Sequence, residues 1–294
     1  MNIKTSCAWL YAISKYQYVN KIEDIFSAIE DMAGLGFKAI EIETIRTENL
    51  NTQLEHKQEL KEHVDSLGLK VINLCSVNEA LLRPGWQDHL DFFKKSAELA
   101  VYLDCPMIQL DSFVPPLQFK SELPYKDSIK FGVDLKVEVD PNFKWEDHWN
   151  LVVDSVKACN EIAMDHGLKL CMEPRVGETI ANSDAMLRLM DWVDSENFGA
   201  VLDTGHLHGG KEIIPLSVEK LNRKIFYVHA SDNDGRDNLH LGVGKGTVDW
   251  EGTLRALDKH GFDGYIAIDI GNIPDIDEEN IRSVKILEEI AQRI

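Results

Sequence analysis

One phrase recurs along this 294-residue chain: an amphipathic helix, a glycine, then a short apolar run. Ile22, Ile25, Phe26, Ile29 and Met32 share one face of a helix expected over 22–33, and Gly36 precedes a strand over 37–43. Leu60, Val64 and Leu67 mark a helix over 54–67, followed by Gly68 and a strand over 69–76. Helices over 146–165 and 249–259 end at Gly167 and Gly261, ahead of strands over 168–173 and 264–269. Glycine just past a helix accepts the left-handed cap that other residues resist, so the punctuation has a backbone cause. The apolar runs lack strict alternation, which suits parallel strands buried on both faces.

Counting every such unit places strands near 3–9, 38–43, 70–76, 107–111, 168–173, 198–203, 225–230 and 264–269, each followed by a helical pattern. Eight β-α units in one chain of this size predict an α/β fold, a (β/α)8 TIM barrel forming a single domain over 1–294. An open doubly wound sheet is the rival. It announces itself by a glycine-rich first turn, whereas strand one here runs into Ser6-Cys7-Ala8-Trp9-Leu10-Tyr11. One connection breaks the rhythm: a long loop after strand four, about 112–145, carries Pro115, Pro116, Pro124 and Pro141. A lid or subunit contact and a solvated excursion with a hairpin near 127–139 both suit it.

Charge narrows the partners. Asp and Glu total 50 against 31 Lys and Arg, a formal net charge of −19. With no basic run to offset that field, neither nucleic acid nor an anionic membrane surface is an expected partner. The 5 cysteines are odd in number and never in CxxC spacing, which points to a reducing compartment without disulfides. Neither a signal-peptide pattern nor a run of membrane-spanning length is seen, so the cytoplasm is the expected location.

Four of the apolar runs end in metal-competent side chains. Glu173 closes strand five, Asp203 strand six, His229 strand seven and Asp269 strand eight. Carboxyl strand ends of such a barrel share one cavity, so the four are expected to converge on one divalent ion. Oxygen and imidazole donors suit Mn²⁺ first, with Mg²⁺, Co²⁺ and Zn²⁺ also compatible. Singly, each residue has a plainer role: Asp203 can bond the amides of Thr204 and Gly205 as an Asx-turn, and His229 can be a satisfied core histidine. Occurrence at four successive strand ends favours the shared cation, which would also relieve repulsion among three carboxylates.

These residues resemble the sugar isomerase/epimerase group of the xylose isomerase-like barrels. That group holds ketose 3-epimerases of the tagatose and psicose type, inosose dehydratases and, more distantly, endonuclease-four-type enzymes. The likeness spans nearly the whole order of β-α units. The resemblance implies that Glu173, Asp203 and His229 are the metal ligands of strands five to seven and that His206, in Asp203-Thr204-Gly205-His206, touches substrate. The segment from Asn238 to Trp250 resembles the loop before the seventh helix, and Arg236 stands where members place an arginine over the substrate. Two departures are visible. Strand eight ends in Asp269 where the family has Glu, and the spacing from Glu173 to Glu178, a further substrate candidate, differs slightly from the epimerase pattern.

The resemblance further implies the chemistry. The ion chelates a carbonyl and neighbouring hydroxyl of a ketose or related polyol. One carboxylate takes the acidified proton to leave a metal-bound enediolate, and another returns it on the opposite face or to the next carbon. Glu173 and Asp269 fill those catalytic roles, while His206 and Arg236 hold oxygens. The expected function is therefore a divalent-metal-dependent sugar isomerase or epimerase. An inosose-type dehydratase begins with the same proton abstraction and stands as the alternative. A nuclease of the endonuclease-four type would need histidines after strands two and three, where Glu43 and Ser76 stand. A non-catalytic sugar-binding barrel should hold no stoichiometric ion.

Lesser candidates come from the early strands. Of Glu41 and Glu43, one is expected to face the barrel and the other outward, with Glu43 the pocket residue. Trp9 can stack on a sugar face or simply pack. Asn78, Glu79 and Asp111 are rim residues, and His208 and Lys245 rank below them. Without a phosphate-binding glycine-rich turn, the substrate is expected to be unphosphorylated. Barrels of this kind often pair through edge helices, which leaves a homo-oligomer open.

Overall fold

Parallel strands need crossovers, and here each apolar run is returned to the same edge by a helix, so the sheet curls until it closes. The computed structural model describes residues 1–18, 21–120, 122 and 136–294. Its barrel strands are β1 (Lys4–Cys7), β2 (Ala39–Ile45), β3 (Lys70–Val77), β4 (Met107–Asp111), β7 (Lys169–Glu173), β8 (Phe198–Asp203), β9 (Ile225–Ala230) and β10 (Tyr265–Ile268). They pair in parallel in the order β1-β10-β9-β8-β7-β4-β3-β2, and β1 closes on β2. This is the α/β barrel expected from the repeated phrase.

The helix expected over 22–33 is Ile22–Gly34, and that over 146–165 is Trp145–Asp165. The one expected over 54–67 is instead two, Arg46–Glu55 and Lys57–Ser66, interrupted at His56. Cap glycines of the phrase sit left-handed: Gly68 has φ +67 and Gly167 φ +70, each with open space where a Cβ would project. Conformation, not crowding, therefore selects glycine there.

In the long loop, β5 (Gln118–Phe119) pairs antiparallel with β6 (Val137–Glu138). The hairpin expected near 127–139 lies outside the described residues apart from its end at β6. The root of this loop is tied to the barrel mouth, where Phe113 O accepts the Thr179 amide at 3.0 Å. Among the described residues, no helix is long and apolar enough to cross a membrane.

Packing divides into two layers. The larger lies between barrel and helices, with Ile25, Ile29, Phe93 and Phe198 among its fully buried members. The smaller fills the lower barrel with Ala39, Ile72, Met107, Cys171, Val201, Tyr227 and Ala267. Because a strand repeats every second residue, the positions above these also point inward, and they are polar: Glu41, Gln109, Glu173, Asp203, His229 and Asp269. Register then brings acids together. Asp111 pairs with Glu173, and Asp203 with His229.

Candidate active site

Each functional side chain stands at or just past the carboxyl end of a barrel strand. Asp269 lies one residue beyond β10, held in the ladder by its amide on Ala230 O at 3.0 Å. Asp203 ends β8 and caps the short helix Thr204–Gly209, its Oδ1 accepting the His206 amide at 2.7 Å. That cap presents the His206 ring to the cavity from the helix's first turn.

The four expected ligands are buried at the barrel mouth, and their donor atoms fall into two overlapping groups. Nδ1 of His229 lies 2.5 Å from Glu173 Oε1 and 3.8 Å from Asp203 Oδ2, while its Nε2 lies 3.0 Å from Glu41 Oε2. Ligand atoms of Asp203, His229 and Asp269 fall within 4.8 Å of one another, as do those of Glu173, Asp203 and His206. The two triads share Asp203. Its Oδ2 is buried without a hydrogen-bond partner, and so is Nδ1 of His206.

The charges show what the cluster lacks. Burial alone would raise the Glu173 carboxyl, but the His229 imidazolium and Arg175 hold it well below the usual range. Burial opposes charge on His229 too, yet the Glu41 and Glu173 carboxylates keep it protonated well above the usual value. Asp203 moves the other way, pushed far up by burial and by the charges of Glu173 and Asp269. Burial and Arg175 lower His206 to about 3. Protons on His229 and Asp203 thus balance the acids. One divalent ion would supply equivalent charge and give the orphaned Asp203 oxygen a partner, so the residues fit such an ion.

Above the cluster opens a cavity of about 720 Å³. Glu43, His206, Asn78, Glu79 and Asp111 line it, together with Glu173, His229 and Asp269. Five sequence candidates, Trp9, Glu178, His208, Arg236 and Lys245, are outside its lining. Trp9 is fully buried in the layer between barrel and helices, as packing. The Arg236 side chain is 82% exposed and turns to Asp234 at 3.9 Å. Glu178 stands behind the wall, where its charge acts on Arg175. His208 and Lys245 are spent elsewhere, on Thr247 at 2.8 Å and Glu279 at 3.2 Å.

The cavity is lined by two arginines, Arg46 and Arg175, and it is Arg175, two residues past Glu173, that reaches the acid cluster. It reaches Asp111 Oδ2 at 3.1 Å through Nη1, and Glu173 Oε2 at 3.3 Å and His206 Nε2 at 3.4 Å through Nε. His240 is the second residue that sequence reasoning did not single out. Asp232 builds its loop, accepting the Gly244 amide and the Trp250 indole N–H at 2.9 Å each, and His240 then meets Asp269 Oδ2 at 3.1 Å. Glu41 is the third. The expectation that Glu41 and Glu43 face opposite ways fails because residues two apart on a strand share a face: both look into the barrel. The signal for Glu41 was that spacing itself; Arg175 follows the strand-end acid by two residues in Glu173-Pro174-Arg175, a loop without a period to say where its side chain turns.

A family model described as xylose isomerase-like TIM barrel matches residues 29–289. An uncharacterized protein of Methanocaldococcus jannaschii is 28% identical over 179 residues, 56% of this chain and 60% of that protein. An inosose dehydratase of Salmonella agona is 26% identical over 152 residues, 46% of this chain and 50% of the enzyme. The match thus spans little more than half the length of these relatives. Among solved structures, a D-tagatose 3-epimerase-like protein superposes with a TM-score of 0.77 at 22% identity, covering 99% of this chain and 98% of the other. At that identity the likeness is one of fold.

Proposed function

The chain belongs to the xylose isomerase-like TIM barrel family, and from that premise we propose that it is a divalent-metal-dependent isomerase or epimerase of a ketose or related polyol. One observation carries this reading: two triads of buried donors, Asp203-His229-Asp269 and Glu173-Asp203-His206, share Asp203, whose Oδ2 accepts no hydrogen bond. Glu173, Asp203, His229 and Asp269 would hold the ion, Mn²⁺ ahead of Mg²⁺, Co²⁺ or Zn²⁺. When bound, it polarises a substrate carbonyl and acidifies the adjacent C–H.

The side chains supply the rest. Glu173 and Asp269, from β7 and the end of β10, flank the space and serve as proton acceptor and donor on opposite faces of the substrate. Arg175 and His206, 3.4 Å apart, present nitrogens to substrate oxygens that gain negative charge. Glu43 stands at the wall for a more distant hydroxyl. Leu10, Ile13 and Phe113 give the cavity apolar walls that limit water around the carbanion. Carboxylates outnumber arginines along the lining, which supports an unphosphorylated substrate.

The partial match to inosose dehydratase favours a second reading in which the same proton abstraction is followed by loss of a β-hydroxyl. Incubation with ketoses and inososes in D₂O plus Mn²⁺ tests both. Deuterium entering beside the carbonyl supports the proposal, and release of water selects the dehydratase. Failure of every candidate to exchange, with no stoichiometric ion by elemental analysis, would overturn it.

A further inference from the structure

A closed circuit of hydrogen bonds and one ion pair runs round the barrel interior at the floor of the cavity. From His229 Nε2 it passes to Glu41 Oε2 at 3.0 Å, which also accepts Asn73 Nδ2 at 2.7 Å. Asn73 Nδ2 donates to Gln109 Oε1 at 2.7 Å, and Gln109 Nε2 to Asp111 Oδ1 at 3.1 Å. Arg175 joins Asp111 Oδ2 to Glu173 Oε2, and Glu173 Oε1 returns to Nδ1 of His229 at 2.5 Å. Five barrel strands contribute: β2, β3, β4, β7 and β9.

Glu41 is 1% exposed, Asn73 fully buried and Gln109 1% exposed. Burying a carboxylate and two amides is costly, and Asn73 Oδ1 is left buried with no hydrogen-bond partner. The layer directly below does without such groups and packs with Ala39, Met107 and Tyr227. Barrel closure therefore has no need of them. The circuit touches the proposed ligand set at two members only, His229 through Glu41 in the barrel wall and Glu173 through Arg175 in the cavity lining.

We infer that Glu41 is the positioning residue of this site: by accepting Nε2–H of His229 it fixes the ring's tautomer and leaves Nδ1 as the nitrogen that meets a cation. Asn73, Gln109, Asp111 and Arg175 carry the same restraint round to Glu173. A carboxylate behind a ligating imidazole both orients the ring and makes it a better donor, and its removal commonly weakens metal binding about 10- to 100-fold. The inference rests on the metal reading proposed above.

The test is titration of Co²⁺ and Zn²⁺ into metal-free wild type, Glu41→Ala and Glu41→Gln, with ¹⁵N-histidine spectra of the Zn²⁺ forms. Wild type should show His229 bound through Nδ1 with a proton on Nε2. Glu41→Ala should lose affinity by about 10- to 100-fold and lose that single tautomer. Glu41→Gln keeps an acceptor of the same shape, so it should fall between the two and guards against a simple folding defect. Wild-type affinity in Glu41→Ala, even with a lowered melting temperature, would overturn the positioning role while leaving the metal reading intact. Zn²⁺ on Nε2 would overturn it as well. A wild type that takes up no ion would overturn the metal reading itself, and this inference with it.

Discussion

Asp269 Oδ2 lies 3.1 Å from His240 Nδ1, and the same nitrogen is 3.2 Å from the Asp269 carbonyl. The histidine thus clamps a side chain one methylene shorter than the Glu that the resemblance leads one to expect at this strand end. Burial resists charge on Asp269, but His240 holds its carboxyl below the usual range. If that clamp aims the carboxylate, His240→Gln should keep the bound ion and lose activity by roughly tenfold. Asp269→Asn removes a proton acceptor and should cost about 10²-fold or more in kcat, with weaker ion binding. Kinetics alongside elemental analysis of each variant would check the pair. Equal activity in His240→Gln and wild type would show that Asp269 needs no clamp.

Arg175 and Arg236 separate by position. The first lines the cavity and bridges Asp111 and Glu173; the second is 82% exposed. Arg236→Ala should therefore leave kcat/KM within about twofold of wild type, as solvated side chains usually do. Arg175→Lys keeps the charge but loses the planar fork that reaches two acids at once. It should lower kcat/KM by about 10²-fold, in the range of a lost charge-stabilising donor. The reverse ranking would mean that the strand-nine loop closes over substrate and brings Arg236 in.

The contrast between these arginines shows where sequence reading stops. Strand ends were legible because an apolar run stopping at an acid states both burial and direction, and Glu173, Asp203, His229 and Asp269 all fell where β-period and barrel geometry put them. Loop residues carry no period, so nothing in Glu-Pro-Arg or in the Arg236 loop says which side chain turns back over the barrel. Trp9 went into the core because the chain enters its first helix, Leu10–Tyr16, directly after it and packs that turn against the sheet. The break at His56 was hidden too, since Leu60, Val64 and Leu67 all follow it and mark only the second helix.

A pH effect follows from His148. Its ring is buried beside Thr179, with Nε2 3.0 Å from Oγ1, and that hydroxyl donates to Phe113 O at 2.8 Å. Burial, and then the nearby Arg83, lower its pKa from 6.5 to about 4. The folded value lies below the unfolded one, so the fold refuses a proton that the unfolded chain accepts. The contribution is complete above pH 6.5 and is lost as pH falls towards 4. Melting temperatures of wild type and His148→Gln, taken from pH 7.5 down to 4.5, should converge because only wild type carries this loss. Parallel curves would remove His148 from the acid response.

Gly205, inside the Asp-Thr-Gly-His turn, is fixed by crowding rather than by its backbone angle. A Cβ there would sit 2.2 Å from Ser231 Oγ and 2.5 Å from Asn238 Oδ1, with Asp203 Oδ1 at 3.3 Å. The backbone on both sides is tied down, so relief falls to the Ser231 and Asn238 side chains or to the helix itself. The Gly205 carbonyl accepts Asn233 Nδ2 at 2.8 Å, and Thr204 Oγ1 donates to Ser231 O at 2.7 Å. Gly205→Ala is expected to push the capped helix from β9, at about 1–3 kcal/mol of stability, and to draw Asp203 away from His229. Gly209→Ala, in the same helix, meets nothing nearer than 3.4 Å and should change stability by less than about 0.5 kcal/mol. Divalent ion should raise the melting temperature of Gly209→Ala as it does wild type, and raise that of Gly205→Ala by much less. Equal shifts in the two variants would mean that Asp203 is not held in place by the close approach of this turn to β9.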